Sequence, residues 1–288
     1  MANAPDAREG ATTGLRGKIG ADLPVRALAG LAMMALALGA TFAGAALFVA
    51  LWLAAAIAIH WEWQRMIDKE RLALRVAIGV FALAVTALLM LAGRVAPALA
   101  LLVAAAAVVG RCAGARPVPF VEASAGMLYA GAMLIALALL RLSLNQGLSA
   151  ILWLFAIVWG TDIMAYFGGR LIGGPKLWPR VSPGKTWSGL VVSVVCGAVA
   201  GLPFALDAGS IAPLFELGLA GALIAQAGDL FESALKRRFG VKDSSHLIPG
   251  HGGVMDRLDG FAAASLFAAI VGVARHGLAD PAAGLLRW

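Results

Sequence analysis

One run of the sequence, Gly228 to Gly260, concentrates side chains that could do chemistry. It carries five acids, five bases and two histidines among several glycines, beside sequence that is otherwise mostly aliphatic. The acids are Asp229, Glu232, Asp243, Asp256 and Asp259. The bases are Lys236, Arg237, Arg238, Lys242 and Arg257. Because a charge at membrane depth costs about 2.5–3.5 kcal/mol, these groups are expected to have partners or a ligand.

Spacing places several of these groups together. Asp229, Ser233 and Lys236 are spaced i, i+4, i+7, so they share one face of a helix. Asp256 and Asp259 are spaced i, i+3 at the expected start of the last membrane span. Their carboxylate oxygens suit Mg²⁺, which takes one or two carboxylates plus substrate phosphates. The alternative for each acid is an ion pair with a neighbouring base.

The glycines at the end of this run predict a turn. The segment 249–253 would enter a helix N-terminus, where free N–H groups and the helix dipole favour phosphate; a plain loop-to-helix turn is the alternative. His246 and His251 lack zinc-ligand context and are expected to lie in the loop or to contact phosphate.

A second polar segment covers residues 169–186. Its run Ser182–Thr186 is not a P-loop, because Pro179 stands where that motif requires glycine and no strand is expected before it. We predict a turn that offers Ser182, Lys185 and backbone groups to phosphate. Asp162 lies inside a span, where an acid is a functional candidate and helix–helix hydrogen bonding is the alternative.

Composition indicates an integral membrane protein. The chain is 61% hydrophobic and 14% charged, with a mean hydropathy of +0.87, whereas soluble domains average about 25% charged residues. The net charge of +7 is scattered over short loops and indicates topology rather than nucleic-acid binding. Cys112 and Cys196 lie in or beside apolar runs and are interpreted as small hydrophobic residues.

Nine segments are expected to span the membrane as an all-α polytopic helix bundle with a cytoplasmic N-terminus. The uncharged run 27–59 is divided near residues 41–44 into two spans. The others cover 73–92, 95–111, 124–141, 148–168, 187–206, 212–230 and 259–276. The predicted organisation is a cytoplasmic tail (1–25), N-terminal membrane helices (26–145) and a C-terminal catalytic membrane domain (146–288).

Loop charge predicts the orientation. Nineteen Lys and Arg fall on the cytoplasmic side, against Arg94, Arg141, Arg275 and Arg287 on the other, as positive-inside topology requires. Both polar segments then face the cytoplasm. The segment 60–63, with two tryptophans, is interpreted as an interfacial aromatic belt.

Thirteen positions of the polar run form a fixed pattern: Ser233, Lys236, Arg237, Lys242, Asp243, Ser245, Pro249, His251, Gly252, Gly253, Asp256, Arg257 and Asp259. This pattern closely resembles the signature of phosphatidate cytidylyltransferases (CDP-diacylglycerol synthases). Upstream pieces around Asp162, Gly169, Ser182–Thr186 and Asp229 are also similar, so the resemblance covers about residues 155–276.

The resemblance implies a reaction of phospholipid biosynthesis: CTP and phosphatidate give CDP-diacylglycerol and pyrophosphate at the cytoplasmic face of the inner membrane. It implies Mg²⁺ as cofactor, with K⁺ as a candidate companion, and Asp229 and Asp256 at a metal centre. The expected partners are CTP, phosphatidate and membrane lipids, without nucleic acid. Small residues such as Gly197 and Gly201 permit close helix contacts, either within the chain or in a homodimer.

Roles for the site residues follow from the resemblance and from charge. Asp229, Asp256, Lys236 and Arg257 are the expected catalytic residues. Substrate-binding candidates are Ser182, Lys185, Ser233, Arg237, Lys242, Asp243, His251, Gly252, Gly253 and Asp259. Arg238 lies outside the pattern and is interpreted as a solvated or lipid-facing charge.

Two alternatives stay open on the sequence. A CTP-dependent transferase for another lipid, archaeol-type or polyprenol, would share CTP and Mg²⁺ and differ only in its acceptor. A transporter would require inverted repeats or paired broken helices, and no convincing repeat is visible in the sequence.

Overall fold

The computed structural model describes residues 28–67, 69–113, 119–205, 210–248 and 250–288. Helices dominate these ranges. They are α1 (Leu28–Ala43), α2 (Ala45–Ile67), α3 (Leu72–Leu91), α4 (Val95–Cys112), α5 (Pro119–Arg141), α6 (Gly147–Leu171), α7 (Trp187–Gly201), α8 (Ile211–Arg238), α9 (Met255–His276) and α10 (Pro281–Leu286). The predicted tail, residues 1–25, lies outside the described residues.

Eight of these helices, α2–α9, are long and apolar enough to cross a membrane. The remaining predicted span, the first in the chain, corresponds to α1, a shorter apolar helix. The break between α1 and α2 falls at Gly44, whose φ of +124° is readily adopted only by glycine. The prediction of an all-α polytopic bundle is confirmed, and the chain is a multi-pass membrane protein.

Short connections place successive helices antiparallel, so the bundle has two ends. We call the end where α8 stops and α9 starts the site end, and the opposite end the distal end. At the distal end Arg141 Nη2 donates to the Thr41 carbonyl at 3.0 Å. Asp280, before α10, accepts from Ser143 Oγ at 2.7 Å and from Asn145 Nδ2 at 2.7 Å.

The N-terminal helices α2–α5 pack among themselves, as do α6–α9, and α9 contacts both α2 and α5. Stacked rings fill the junction: the Trp52 ring centroid lies 4.9 Å from that of Phe261, which lies 5.3 Å from that of Phe155. The predicted domain boundary at residues 145/146 falls in the α5–α6 turn and stays a prediction.

Glycines bring α8 and α9 into backbone contact beside the polar residues. A Cβ on Gly228 would lie 2.8 Å from the Asp259 carbonyl oxygen, and one on Gly260 would lie 2.9 Å from the Ala225 carbonyl oxygen. Both positions therefore require the smallest residue. This contact sets Asp229, next to Gly228, close to Asp259 on the facing helix.

Gly197 and Gly201 of α7 pack against α6 of the same chain. A Cβ on Gly201 would lie 2.8 Å from Trp153 Nε1, and one on Gly197 would collide with Thr161 Oγ1. These two glycines therefore serve internal packing. The homodimer stays a prediction, which the mass of the detergent-solubilised protein would test.

One prediction about local structure is wrong. The run Ser182–Thr186 is not a turn but strand β2, paired antiparallel with strand β1 (Lys176–Trp178). Helix α8 continues past the end of its predicted span near residue 230 to Arg238, as the helical spacing of Asp229, Ser233 and Lys236 predicted.

Candidate active site

A cavity of about 440 Å³ lies at the site end between α6, β2, α8 and α9. Acids outnumber bases on its walls. The acids are Asp162, Asp229, Glu232, Asp243, Asp256 and Asp259, and the bases are Lys185, Lys236 and Arg257. We call it the acidic cavity. Its surplus of carboxylates favours a bound cation.

Asp229 forms one wall of the acidic cavity. Lys185 Nζ lies 2.6 Å from Asp229 Oδ2 and donates to Gln226 Oε1 at 2.9 Å. Ser233 Oγ donates to Asp229 Oδ1 at 3.3 Å, as the i, i+4 spacing predicts. Lys185 thus ties the β-hairpin to α8, and the two polar segments meet at this cavity.

Lys236 ties α8 to α9 on another wall. Its Nζ lies 2.6 Å from Glu232 Oε2 and 2.8 Å from Asp256 Oδ1. The Glu232 and Asp256 side chains are only 1% and 3% exposed. One cation is therefore shared by two buried carboxylates. The alternative of an ion pair with a base is observed for Glu232 and Asp256, as it is for Asp229.

The loop between α8 and α9 holds Asp256 from its backbone. Asp256 Oδ2 accepts from the N–H of Ser244 at 3.0 Å and from the N–H of Gly253 at 2.8 Å. Gly252 has φ +84°, and a Cβ there would lie 2.6 Å from Asp256 Oδ2. The glycine turn is confirmed, and its small residues make room for the carboxylate.

Glu62, at the end of α2, was not predicted as part of the site. It is fully buried. Its Oε1 accepts from Ser245 Oγ at 2.6 Å and from the N–H of Val254 at 2.8 Å, and its Oε2 accepts from the N–H of Met255 at 2.7 Å. An acid at the end of an apolar span was the available signal. Its partners lie too far along the sequence to be inferred.

Two expectations need correction here. The segment 60–63 is not an interfacial belt, because His60, Glu62 and Trp63 are buried within the protein. The N–H groups at the start of α9 are not free for phosphate, because Glu62 and Asp256 already accept from Gly253, Val254 and Met255.

Of the cavities that share lining residues with the acidic cavity, one lies at the α8–α9 loop and another at the hairpin. The loop pocket, about 400 Å³, is lined by Lys242, Asp243, His246, Ile248, Gly250, His251, Gly252 and Arg257. The apolar groove, about 420 Å³, lies between α6, α7 and the hairpin, and its lining includes Tyr166, Leu177 and Leu190. The loop pocket shares Asp243 and Arg257 with the acidic cavity, and the apolar groove shares Lys185 and Gln226 with it.

Most of the predicted site residues line these cavities. Those on the acidic cavity are Lys185, Asp229, Lys236, Asp243, Asp256, Arg257 and Asp259. Those on the loop pocket but not the acidic cavity are Lys242, His251 and Gly252. Four predicted site residues within the described ranges, Ser182, Ser233, Arg237 and Gly253, line none of the three cavities. Gln226 lines two of them and was not predicted.

Arg237 and Arg238 lie at the edge of the site. Arg237 is exposed and donates from Nη1 to the Val241 carbonyl at 3.4 Å. Arg238 Nη2 lies 2.5 Å from Glu122 Oε1, and its side chain is 63% exposed. Arg238 is therefore solvated, as interpreted, but it also pairs with α5.

The donor set fits Mg²⁺. Among the described residues, no three Asp, Glu, His or Cys side chains form a cluster that would hold a metal without help. Mg²⁺ typically takes one or two carboxylates together with substrate phosphates. Asp229 and Asp256 line the cavity. Asp229 accepts from Ser233 Oγ and Lys185 Nζ and keeps lone pairs for a cation, whereas Asp256 already accepts from Lys236 Nζ and from the N–H groups of Ser244 and Gly253.

The fold and the site together define the class of the protein. It is a polytopic membrane protein whose helix bundle carries a polar site at one end, with an acid-rich cavity between a basic-lined pocket and an apolar groove. The Cytidylyltransferase family matches residues 24–274, and the chain belongs to that family. It is a nucleotidyltransferase.

The chain is also similar to curated proteins from several bacteria. A Brucella abortus protein called phosphatidate cytidylyltransferase is 38% identical over 260 residues, which cover 86% of this chain and 94% of that protein. A Haemophilus influenzae protein of the same name is 43% identical over 129 residues, 42% of this chain and 45% of that protein. One from Staphylococcus saprophyticus is 43% identical over 120 residues, 41% and 46% of the two chains.

Proposed function

We propose that this protein makes CDP-diacylglycerol and pyrophosphate from CTP and phosphatidate in phospholipid biosynthesis. The observation that carries the proposal is the acidic cavity, which adjoins a basic-lined loop pocket on one side and an apolar groove on the other. A nucleotide triphosphate and a lipid phosphate could meet there. The names of the relatives support the same substrates.

The reaction needs positioning more than acid–base help. A phosphate monoester has a second pKa of about 6, so the phosphatidate phosphate is largely deprotonated near neutral pH. One of its oxygens attacks the α-phosphorus of CTP, and a new P–O–P bond forms. The bond from that phosphorus to the α–β bridging oxygen breaks, and the electron pair leaves with pyrophosphate. Holding the two phosphates in line lowers the barrier.

Asp229 and Asp256 would hold Mg²⁺, with K⁺ as a candidate second cation. When bound, such a cation neutralises phosphate charge and organises the triphosphate. The protein's own cations complete the task. Lys236 and Arg257, on the cavity wall, would stabilise charge that develops on the phosphates, and Lys185 would contact phosphate from the hairpin side.

The two neighbouring cavities suit the two substrates. Lys242, His251 and Arg257 line the loop pocket and would contact the triphosphate. The apolar groove at Tyr166 and Leu190 would take the lipid beyond its phosphate, with acyl chains entering laterally between helices.

We propose that the protein lies in the inner membrane and that its site end faces the cytoplasm. Among the described residues, the distal end carries only Arg94, Arg141, Arg275 and Arg287 as bases, and the remaining Lys and Arg lie toward the site end. Cytoplasmic loops are the ones enriched in Lys and Arg.

The acceptor test uses the purified protein in detergent. Pyrophosphate release from CTP is expected only when phosphatidate and Mg²⁺ are both present, and EDTA should abolish it. Polyprenyl phosphate and archaetidic acid serve as competing acceptors at equal concentration. If either competing acceptor gives a higher rate than phosphatidate, that lipid is the acceptor instead. Solute flux without CTP turnover would contradict the proposal that the protein is an enzyme.

A further inference from the structure

We propose that Glu62 is a positioning residue for cytidylyl transfer: it fixes the first turn of α9 and so aims Asp256 and Arg257 into the acidic cavity. This inference rests on the proposed function for the reaction that it serves. It assigns a role in the site to the N-terminal half of the chain.

The contacts of Glu62 converge on one place. Three donors, the Ser245 hydroxyl and the backbone N–H groups of Val254 and Met255, lie 2.6–2.8 Å from its two carboxylate oxygens. Val254 precedes α9, and its own side chain offers no cap to that helix. A carboxylate from a helix nearly 200 residues earlier therefore does what a local cap usually does.

Asp256 follows directly after the residues that Glu62 holds. The Met255 N–H is bound to Glu62, and the next two side chains, Asp256 and Arg257, line the acidic cavity. Asp256 is in turn held by the N–H groups of Ser244 and Gly253. Hydrogen bonds thus join the α8–α9 loop, the first turn of α9 and Asp256, and Glu62 of α2 binds the backbone of this unit.

Gly253 admits the Glu62 carboxylate to this place. A Cβ on Gly253 would lie 2.5 Å from Glu62 Oε1, so a larger residue would push the carboxylate away. Within the part of the chain that the structure describes, the hydrogen-bond donors to Glu62 are a hydroxyl and backbone N–H groups rather than a cation. Its charge is balanced by backbone N–H groups and by the positive end of the α9 dipole. A buried acid is costly in an apolar span, and a purely apolar contact could join α2 to α9 without that cost.

The test compares Glu62→Ala and Glu62→Gln with Glu122→Gln as the matched control. Glu122 is also an acid of the N-terminal half that reaches the site end, but its partner Arg238 lines none of the three cavities. Initial rates with CTP and phosphatidate give kcat and KM, and hydrogen exchange of the segment 247–262 reports the helix start.

Glu62→Ala should lower kcat about 100-fold, the typical effect of misplacing a reacting group by about 1 Å. KM for phosphatidate should stay within about twofold, because the apolar groove is untouched. The kcat of Glu62→Gln should lie between those of Glu62→Ala and wild type, since the amide keeps one acceptor. Exchange should rise at residues 254–256 in both variants and stay unchanged in Glu122→Gln.

A kcat within twofold of wild type in Glu62→Ala and Glu62→Gln would overturn the proposal. Faster exchange spread over α3 and α4 along with the loss of kcat would overturn it as well, because that pattern marks general destabilisation. Failure of the proposed function looks different. Wild type would then release no pyrophosphate with phosphatidate, while the local exchange effect of Glu62 would persist.

Discussion

At the scale of residues, the site depends on charges that share partners. Lys236 serves both Glu232 and Asp256, and Lys185 serves both Asp229 and Gln226. Removing one member of a buried charge pair leaves the other unpaired and costs about 3–5 kcal/mol, whereas replacing the whole pair costs much less. Stability and catalysis can therefore be separated by the choice of substitution.

We predict that Lys236→Met lowers the free energy of unfolding by about 3–5 kcal/mol, because it leaves two acids without their cation. Activity should be lost as well. The double variant Glu232→Gln/Lys236→Met should recover part of the stability but none of the activity. Thermal unfolding in detergent and pyrophosphate release measure the two effects. Wild-type stability in Lys236→Met would contradict the shared-cation account.

Local spacing predicted part of this site and could not predict the rest. Asp229, Ser233 and Lys236 share a helix face, and that geometry follows from the helical repeat alone. Glu62 reaches Met255 across 193 positions and Lys185 reaches Gln226 across 41. Such contacts depend on how helices pack, which spacing along the sequence does not report.

At the scale of elements, the loop between α8 and α9 is built around the Asp256 carboxylate. Ile248 and Gly252 form a bridge, with the Ile248 N–H donating to the Gly252 carbonyl at 2.8 Å. Arg257 Nε donates to the His251 carbonyl at 3.0 Å and closes the loop onto α9. The backbone of this loop therefore determines where the carboxylate lies.

We predict that Gly252→Ala reduces turnover at least tenfold more than Gly240→Ala does. Both glycines have positive φ, +84° and +68°, so both substitutions carry similar backbone strain, about 1 kcal/mol. Only at Gly252 does the added Cβ meet Asp256, 2.6 Å from Oδ2; at Gly240 nothing lies within 4 Å. Initial rates and melting temperatures of the two variants test this. Equal rates would show that Asp256 tolerates displacement.

At the distal end, Asp280 fastens α10 to the α5–α6 turn. Burial raises the pKa of Asp280, but hydrogen bonds from Asn145 and Ser143 outweigh it and leave the pKa below its ordinary value. A lowered folded-state pKa means that the stabilisation is present above the unfolded pKa of about 3.9 and is lost as the pH falls below it.

Asp280→Ala should therefore lower the melting temperature by a few degrees at pH 7, since hydrogen bonds contribute about 1 kcal/mol each. The difference from wild type should shrink as the pH falls through about 4. Catalysis should be unaffected, because the residue lies at the end opposite the acidic cavity. A pH-independent difference would mean that the ionised carboxylate contributes nothing.

Hydropathy predicted the membrane elements well and the polar ones poorly. The cores of the spans match α2–α9 because apolar length is a local property. Hydropathy ended this span near residue 230, whereas α8 continues to Arg238 and its charged last turns pair with Glu122 and Asp256 on other helices. The short, polar strands β1 and β2 carry no alternating pattern that would mark them.

At the scale of the whole molecule, charge distinguishes the two ends of the bundle, and this asymmetry predicts its orientation. Leu247 lies in the α8–α9 loop at the site end and is 51% exposed; Leu144 lies in the α5–α6 turn at the distal end and is 81% exposed. Both positions can report the side of the membrane through an introduced cysteine.

In a background with Cys112 and Cys196 replaced by serine, Leu144→Cys should react with a membrane-impermeant maleimide added to intact cells. Leu247→Cys should react only after the membrane is permeabilised. Retained activity of both variants is the control for folding. The reverse pattern would place the acidic cavity outside the cytoplasm and contradict the proposed orientation.

The central claim, that Asp229 and Asp256 form the site of cytidylyl transfer, is tested most directly with CTP labelled at the α-phosphate. Purified wild-type protein with phosphatidate and Mg²⁺ should transfer the label to a lipid-soluble product, and one labelled lipid should form for each pyrophosphate released. Asp229→Asn and Asp256→Asn should each reduce that transfer by about 10²–10³-fold or more, while melting cooperatively as wild type does. Transfer near the wild-type rate in either folded variant would contradict the account.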